Sequence, residues 1–259
     1  MLQRCVWLFG VAALLIGFGA YLAASAANRE ALWKIVHDGC VPHWASEHDP
    51  SPCVKVDVSG GDGRGVAILK DRVGKAQFLA IPTARISGIE SPELQGPEAS
   101  NLFGAAWQAR QFLFAKIGKT LARDGIGLAI NSAARRSQDQ AHIHIDCIRP
   151  DVRAILLERS REIRQEWSDD SLVIDRTPYS ARRIDGLDLT GVNPFELVAN
   201  RLKPREEEMG RATIVVIGVG SEESNPGFIL LVSLADPGHG AGGHGEDLLD
   251  HECRLAGTD

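Results

Sequence analysis

The chain has 259 residues, of which 44% are apolar and 24% charged, and its formal net charge is −6. That is the composition of an ordinary globular protein, long enough past its N-terminal stretch for a core of one large domain or two small ones. The acidic balance argues against nucleic-acid binding, which needs a basic patch or stripe.

Val6 to Ala27 carries no charged residue. As a helix it would be roughly 33 Å long at ~1.5 Å per residue, close to the ~30 Å of a hydrocarbon core. Two readings stay open: an uncleaved transmembrane anchor, and a signal peptide cut near Ala24-Ser25-Ala26. Either one exports the rest of the chain. The expected division is residues 1–28 as anchor or signal peptide and 29–259 as the catalytic domain. Cys5 precedes the apolar run, which leaves Cys40, Cys53, Cys147 and Cys253 on the exported side. Four cysteines in a disulfide-permissive compartment allow three connectivities. Cys40 with Cys53, closing a short Pro/Ser/His-rich loop, is favoured; Cys147 with Cys253 would then tie the C-terminal segment to the core. Buried free thiols are the alternative. Zinc is disfavoured by the lack of a close Cys-x-x-Cys pair.

Residues 31–40 read as a short helix, and 41–62 as a loop with Pro42, Pro50 and Pro52. Residues 65–70 (GVAILK) and 77–81 (QFLAI) form a predicted hairpin across a polar turn. A proline-containing loop with Arg85 and Glu90 leads to a helix over 101–117, with Gly118 at its C-cap. Strands are predicted at 127–131 and 141–148, a helix at about 151–167 opened by Pro150, and a strand at 179–184. Next come a short helix at 194–199 and a hairpin of 212–218 with 227–234. Strands come mostly in hairpins, which points to an α+β fold with an antiparallel sheet flanked by helices. The tail from Asp236 is Gly/His-rich, with His239, His244 and His251, and reads as a loop in preference to a metal-binding tail.

The chemistry concentrates around residues 131–147. In a strand, side chains alternate faces, so Gln140, His142, His144 and Asp146 share one face, and Ala141, Ile143, Ile145 and Cys147 the other. Two imidazoles side by side on a rigid element suit phosphoryl or nucleotidyl transfer. One attacks phosphorus as a neutral base, and the other donates to the phosphate oxygens. A plain solvated face, and a metal pair with Asp146 as third ligand, are the competing readings. The sequence argues against a phosphoesterase with two His-x-Thr/Ser motifs, because no such pair occurs. Candidate phosphate or base contacts are Arg135, Arg136, Ser137 and Gln138 in the preceding turn, Arg85, and Trp107 with Arg110 three residues apart on a helix.

The segment resembles the histidine-triad (HIT-like) signature, His-φ-His-φ-His-φ-φ after a strand bearing asparagine. Gln140 stands at the first histidine, His142 at the central nucleophilic one, His144 at the third, and Asn131 at the phosphate-side asparagine. More widely, the chain resembles the CDP-diacylglycerol pyrophosphatase family. The matching pieces include Cys40 with Pro50-Ser51-Pro52-Cys53, Val66-Ala67-Ile68-Leu69-Lys70-Asp71, and Pro82-Thr83-Ala84-Arg85-Ile86 with Glu90-Ser91-Pro92. Others are Ala106-Trp107-Gln108-Ala109-Arg110, Ala129-Ile130-Asn131-Ser132, His142-Ile143-His144-Ile145 and Cys147-Ile148-Arg149-Pro150-Asp151-Val152. Ala181-Arg182-Arg183, Asn193-Pro194-Phe195 and the late His251 and Cys253 complete the set. The resemblance implies a HIT-like fold after one N-terminal transmembrane helix, and hydrolysis of CDP-diacylglycerol to CMP and phosphatidate without cofactor or metal. It also implies a nucleotidyl-histidine intermediate, no protein partner, and a site on the periplasmic side of a bacterial inner membrane. Hydrolysis of soluble nucleotide diphosphates such as nucleotide sugars, and a non-catalytic exported module that binds nucleotide or headgroup, are the alternative functions.

Overall fold

The computed structural model describes residues 29–61, 63–96, 98–169, 172–236, 238 and 242–257. These residues build a nine-stranded, wholly antiparallel sheet: β1 (Lys55–Asp57), β2 (Val66–Lys70), β3 (Phe78–Pro82), β4 (Ile126–Ile130), β5 (Ile143–Cys147), β6 (Leu172–Ile174), β7 (Thr177–Asp185), β8 (Ala212–Val219) and β9 (Gly227–Leu234). Their spatial order is β1-β2-β3-β5-β4-β8-β9-β7-β6. β5 therefore lies between β3 and β4, paired along both edges, with His144 opposite Leu79 on one side and Ala129 on the other.

The helices are α1 (Ala31–Lys34), which runs through a wider π-helical stretch (Ile35–Cys40) into α2 (Val41–Glu47), then α3 (Leu102–Ile117), α4 (Pro150–Arg159) and α5 (Pro194–Leu202). Local chemistry sets their ends. The Asn101 side chain accepts from Gly104 N at the start of α3, and Gly118 closes it in the left-handed region at φ 73°. α4 and α5 each begin at a proline, whose fixed φ suits a first helical turn. α4 stops at Arg159, short of the expected end near Trp167, and Trp167 lies under the guanidinium groups of Arg182 and Arg201.

The two sheet faces are covered differently. On one, α3 and α5 press onto a continuous core that includes Trp107, Phe103, Ile143, Ile145 and Phe228. On the other the apolar packing is split. Leu32 and Val36 of the N-terminal helices, with the Cys40–Cys53 disulfide, cover Ala67, Leu79 and Ile81. Val152 and Leu156 of α4 cover Ala129, Val215 and Leu231. The polar row of β5 falls in the gap between these two clusters.

One part of the fold expectation is corrected. Among the described residues no helix is long and apolar enough to cross a membrane, so the fold that these residues define is the sheet with its helices, and the expected spanning helix is not among them. The segment Val6 to Ala27 lies outside the described residues, as does His239.

Candidate active site

His142, just before β5, and His144 on it are 7% and 5% exposed, so neither is an ordinary solvated face residue. Their rings lie side by side, 4.8 Å between centroids and inclined at 69°. Both line a cleft of about 360 Å³. Its apolar lining comes from Ala31, Leu32, Ile35, Leu69, Val73 and Leu79. Its polar lining comes from Lys70, Asp71, Arg72, Ser137, Gln138 and Glu246 beside the histidines. A cleft with apolar walls and a few convergent polar groups is the form expected of a small-molecule site.

Hydrogen bonds fix each ring. His142 Nδ1 lies 2.7 Å from the Gln140 carbonyl oxygen, which can only accept, so the proton sits on Nδ1 and Nε2 keeps its lone pair. Burial lowers the His142 pKa below the ordinary 6.5, which keeps the ring neutral at neutral pH. His144 is oriented the opposite way. Gln77 Nε2 donates to His144 Nδ1 at 3.0 Å and to Asp71 Oδ2 at 2.7 Å, leaving the His144 proton on Nε2. Burial first, then the neighbouring His142, brings the His144 pKa to about 3. The pair thus offers one free lone pair and one N–H donor, the complement that attack on a phosphorus centre requires.

A segment distant in sequence completes the site. Glu246, in a short 3-10 turn (Gly245–Leu248), brings its Oε1 to 3.2 Å from His144 Nε2 and 3.3 Å from His244 Nε2. Asn131 Nδ2 donates to the same oxygen at 2.6 Å, while Asn131 Oδ1 accepts from Gly245 N. The His144–Glu246 pair is within ion-pair range but off the line of a hydrogen bond. Burial pushes the Glu246 carboxyl up, but hydrogen bonds from His244 and Asn131 and the nearby His144 outweigh it and bring its pKa to about 2. His244, held by Glu246 and Asp247, rises to about 9. The tail is secured by the Cys147–Cys253 disulfide, and His251 pairs with the buried Asp146 at 2.9 Å. Lys75 N donates to the His251 carbonyl, which locks the β2–β3 turn to the tail. Gly74 in that turn has φ +73°, and a Cβ there would meet Asp146 and His251 at 3.4 Å.

The structure brings His142, His144, Asn131, Ser137 and Gln138 to one place, and sets the other expected contacts elsewhere. Gln140 is fully buried; its amide donates to the Pro82 and Ala84 carbonyls and accepts from Ile86 N, so it pins the loop after β3 and has no capacity left for phosphate. Trp107 is buried beneath the opposite sheet face, edge-on to Phe228, with Arg110 lying over its ring at 4.1 Å. Arg85 pairs with Glu30 and does not line the cleft. Arg136 is committed to Glu90 and Asp139. Sequence reasoning missed Glu246, His244 and Gln77 as site residues. Glu246 lies in a Gly-rich loop without periodicity, and Gln77 reads only as the start of a strand. Among the described residues no group of three His, Cys, Asp or Glu side chains is gathered to hold a metal ion.

Comparison with known proteins places the chain among the hydrolases of phosphoric anhydrides and narrows the class further. The family model described as CDP-diacylglycerol pyrophosphatase matches residues 27–257. A CDP-diacylglycerol pyrophosphatase of Yersinia pestis is 39% identical over 229 residues, covering 88% of this chain and 86% of that relative. The chain belongs to the CDP-diacylglycerol pyrophosphatase family.

Proposed function

We propose that His142 is the nucleophile with which this chain performs the activity of its family, and that the reaction runs through a cytidylyl-histidine. The chain hydrolyses CDP-diacylglycerol. His142 Nε2 attacks the phosphorus bonded to cytidine. The Nε2–P bond forms as the bridging P–O bond breaks, and phosphatidate leaves with the electron pair. Water then attacks the same phosphorus and gives up a proton to solvent, the Nε2–P bond breaks, CMP departs, and Nε2 regains its lone pair. His144 Nε2–H and Asn131 are the donors nearest the non-bridging oxygens. The adduct ring carries a positive charge, which the Gln140 carbonyl stabilises through Nδ1–H.

The observation that carries this reading is the 2.7 Å contact from His142 Nδ1 to the Gln140 carbonyl, which leaves Nε2 as the free nitrogen of a buried, neutral ring lining the cleft. A lining that combines apolar side chains with polar ones fits an amphiphile, which favours a lipid-linked substrate over a soluble nucleotide sugar. Two disulfides support an oxidising compartment, and we place the domain on the periplasmic side of a bacterial inner membrane, where the lipid headgroup is within reach. The test is rapid quenching with substrate labelled at the phosphorus next to cytidine. Alkali-stable, acid-labile label on the wild-type chain, absent from His142→Ala, is the expected result. Full turnover in purified His142→Ala overturns the proposal.

A further inference from the structure

The expected phosphate donors are already engaged, and by a carboxylate of the same chain. Asn131 Nδ2, His144 Nε2 and His244 Nε2 reach one oxygen, Glu246 Oε1, at 2.6, 3.2 and 3.3 Å. A carboxylate oxygen and a non-bridging phosphate oxygen share charge, size and acceptor geometry, so a cradle that holds one is shaped for the other. The two cannot occupy it together, because like charges at contact in a partly desolvated cleft repel strongly. The His144 contact is also misaligned, so this buried N–H lies in the cleft without a true partner. Gly243 O and Gly245 N are held by Ser132 N and Asn131 Oδ1, so the carboxylate leaves by rotation of the Glu246 side chain while the turn stays in place.

We propose that Glu246 Oε1 holds the place of a substrate phosphate oxygen in the free enzyme, and that His244 is the third member, with Asn131 and His144, of the set that binds that phosphate. On substrate entry the phosphate takes the three donors and the carboxylate turns away. His244 thus becomes a substrate-binding residue and Glu246 a competitor of the substrate for its own site. This inference rests on the proposed function for the location of the phosphate, but its deciding readout is the affinity for CMP.

The experiment titrates the full chain with CMP, and separately with inorganic phosphate, for wild type, Glu246→Ala, Glu246→Gln, His244→Asn and the Glu246→Ala/His244→Asn double variant. If the carboxylate fills the seat nine-tenths of the time, its removal tightens CMP binding by about tenfold, since apparent affinity scales with the competent fraction. Glu246→Gln, neutral and of the same shape, tightens it less, and serves in place of Glu246→Ala should the latter not fold. His244→Asn weakens CMP binding in both the wild-type and Glu246→Ala backgrounds. Equal or weaker binding by Glu246→Ala or Glu246→Gln, with a fall in kcat at unchanged KM, makes Glu246 a positioning residue for His144 and overturns the stand-in. Unchanged binding in the double variant relative to Glu246→Ala removes His244 from the set. A chain that binds CMP as expected but fails to label His142 leaves this inference standing and ends the nucleophile proposal, so the two failures are distinguishable.

Discussion

The two faces of the sheet are built from the same strands, and β5 shows the contrast most sharply. Ile143, Ile145 and Cys147 enter a continuous apolar core beneath α3, whereas His142, His144 and Asp146 enter a gap between two smaller clusters. On the first face stability comes from area removed from water. On the second, buried polar groups are tolerated only because each is tied by a named partner: Gln140 to three backbone groups, His144 to Gln77, Asp146 to His251. One face holds the protein together and the other leaves room for a substrate. Residues of one strand, one position apart, should therefore fail in different ways when changed.

Five substitution or pH experiments press on that contrast. His142→Ala should lower kcat by about a thousandfold or more, as loss of a nucleophile does, with melting temperature and CMP binding nearly unchanged. A large loss of stability instead would make His142 a packing residue and erase the contrast. Trp107→Ala should do the reverse: about 3–5 kcal/mol of unfolding free energy lost by denaturant titration, with kcat per folded molecule intact. Replacing Cys147 and Cys253 by alanine removes a bridge between residues 106 apart. About 2–4 kcal/mol of stability should go with it, together with activity, because the tail that positions Glu246 loosens. Activity at wild-type level would show that the tail holds without the bridge.

The pH profile sharpens the polar side. Burial holds His142 and His144 below the ordinary 6.5, His144 to about 3, so the neutral, nucleophilic ring persists as pH falls through 6.5. kcat/KM should stay level there and decline only at lower pH; an acid limb at or above 6.5 contradicts the buried, neutral pair. Folding stability has the same sign. Unfolded, His142 and His144 take up protons first, so their contribution to stability is complete above 6.5 and is lost progressively below it, whereas His244, raised to about 9, contributes most below 6.5 and loses its contribution as pH rises through 9. The smallest effect belongs to Arg85→Ala, which removes an exposed ion pair with Glu30. It should leave kcat/KM within about twofold and cost under about 1 kcal/mol.

Much of this was legible in the amino-acid order because it is local. Alternation along 141–147 divided the residues of β5 between the two faces, and the hairpins at 65–81 and 212–234 came from apolar runs around turns. The partition failed at Gln140 because the strand begins at Ile143. Ahead of that strand the chain has already turned, and the amide meets carbonyls of the β3 loop instead of the cleft. Trp107 and Arg110 do share a helix face, as their spacing requires, but spacing does not tell which side of a sheet a helix will cover. Glu246 was invisible for a related reason. Its position depends on the Asn131 side chain, the Ile148–Leu249 bridge and the Cys147–Cys253 bond, contacts spanning about a hundred residues with no periodic trace.

The linkage of Cys253 to Cys147 has a temporal consequence. Residues 242–253 are made after every strand of the sheet, yet they supply Glu246, His244 and the partner of Asp146. A nascent chain can pair all its strands and still lack a finished cleft. Competence then waits on the last residues to be made, and the bond to Cys147 is what fixes them covalently against the strand that carries the histidines.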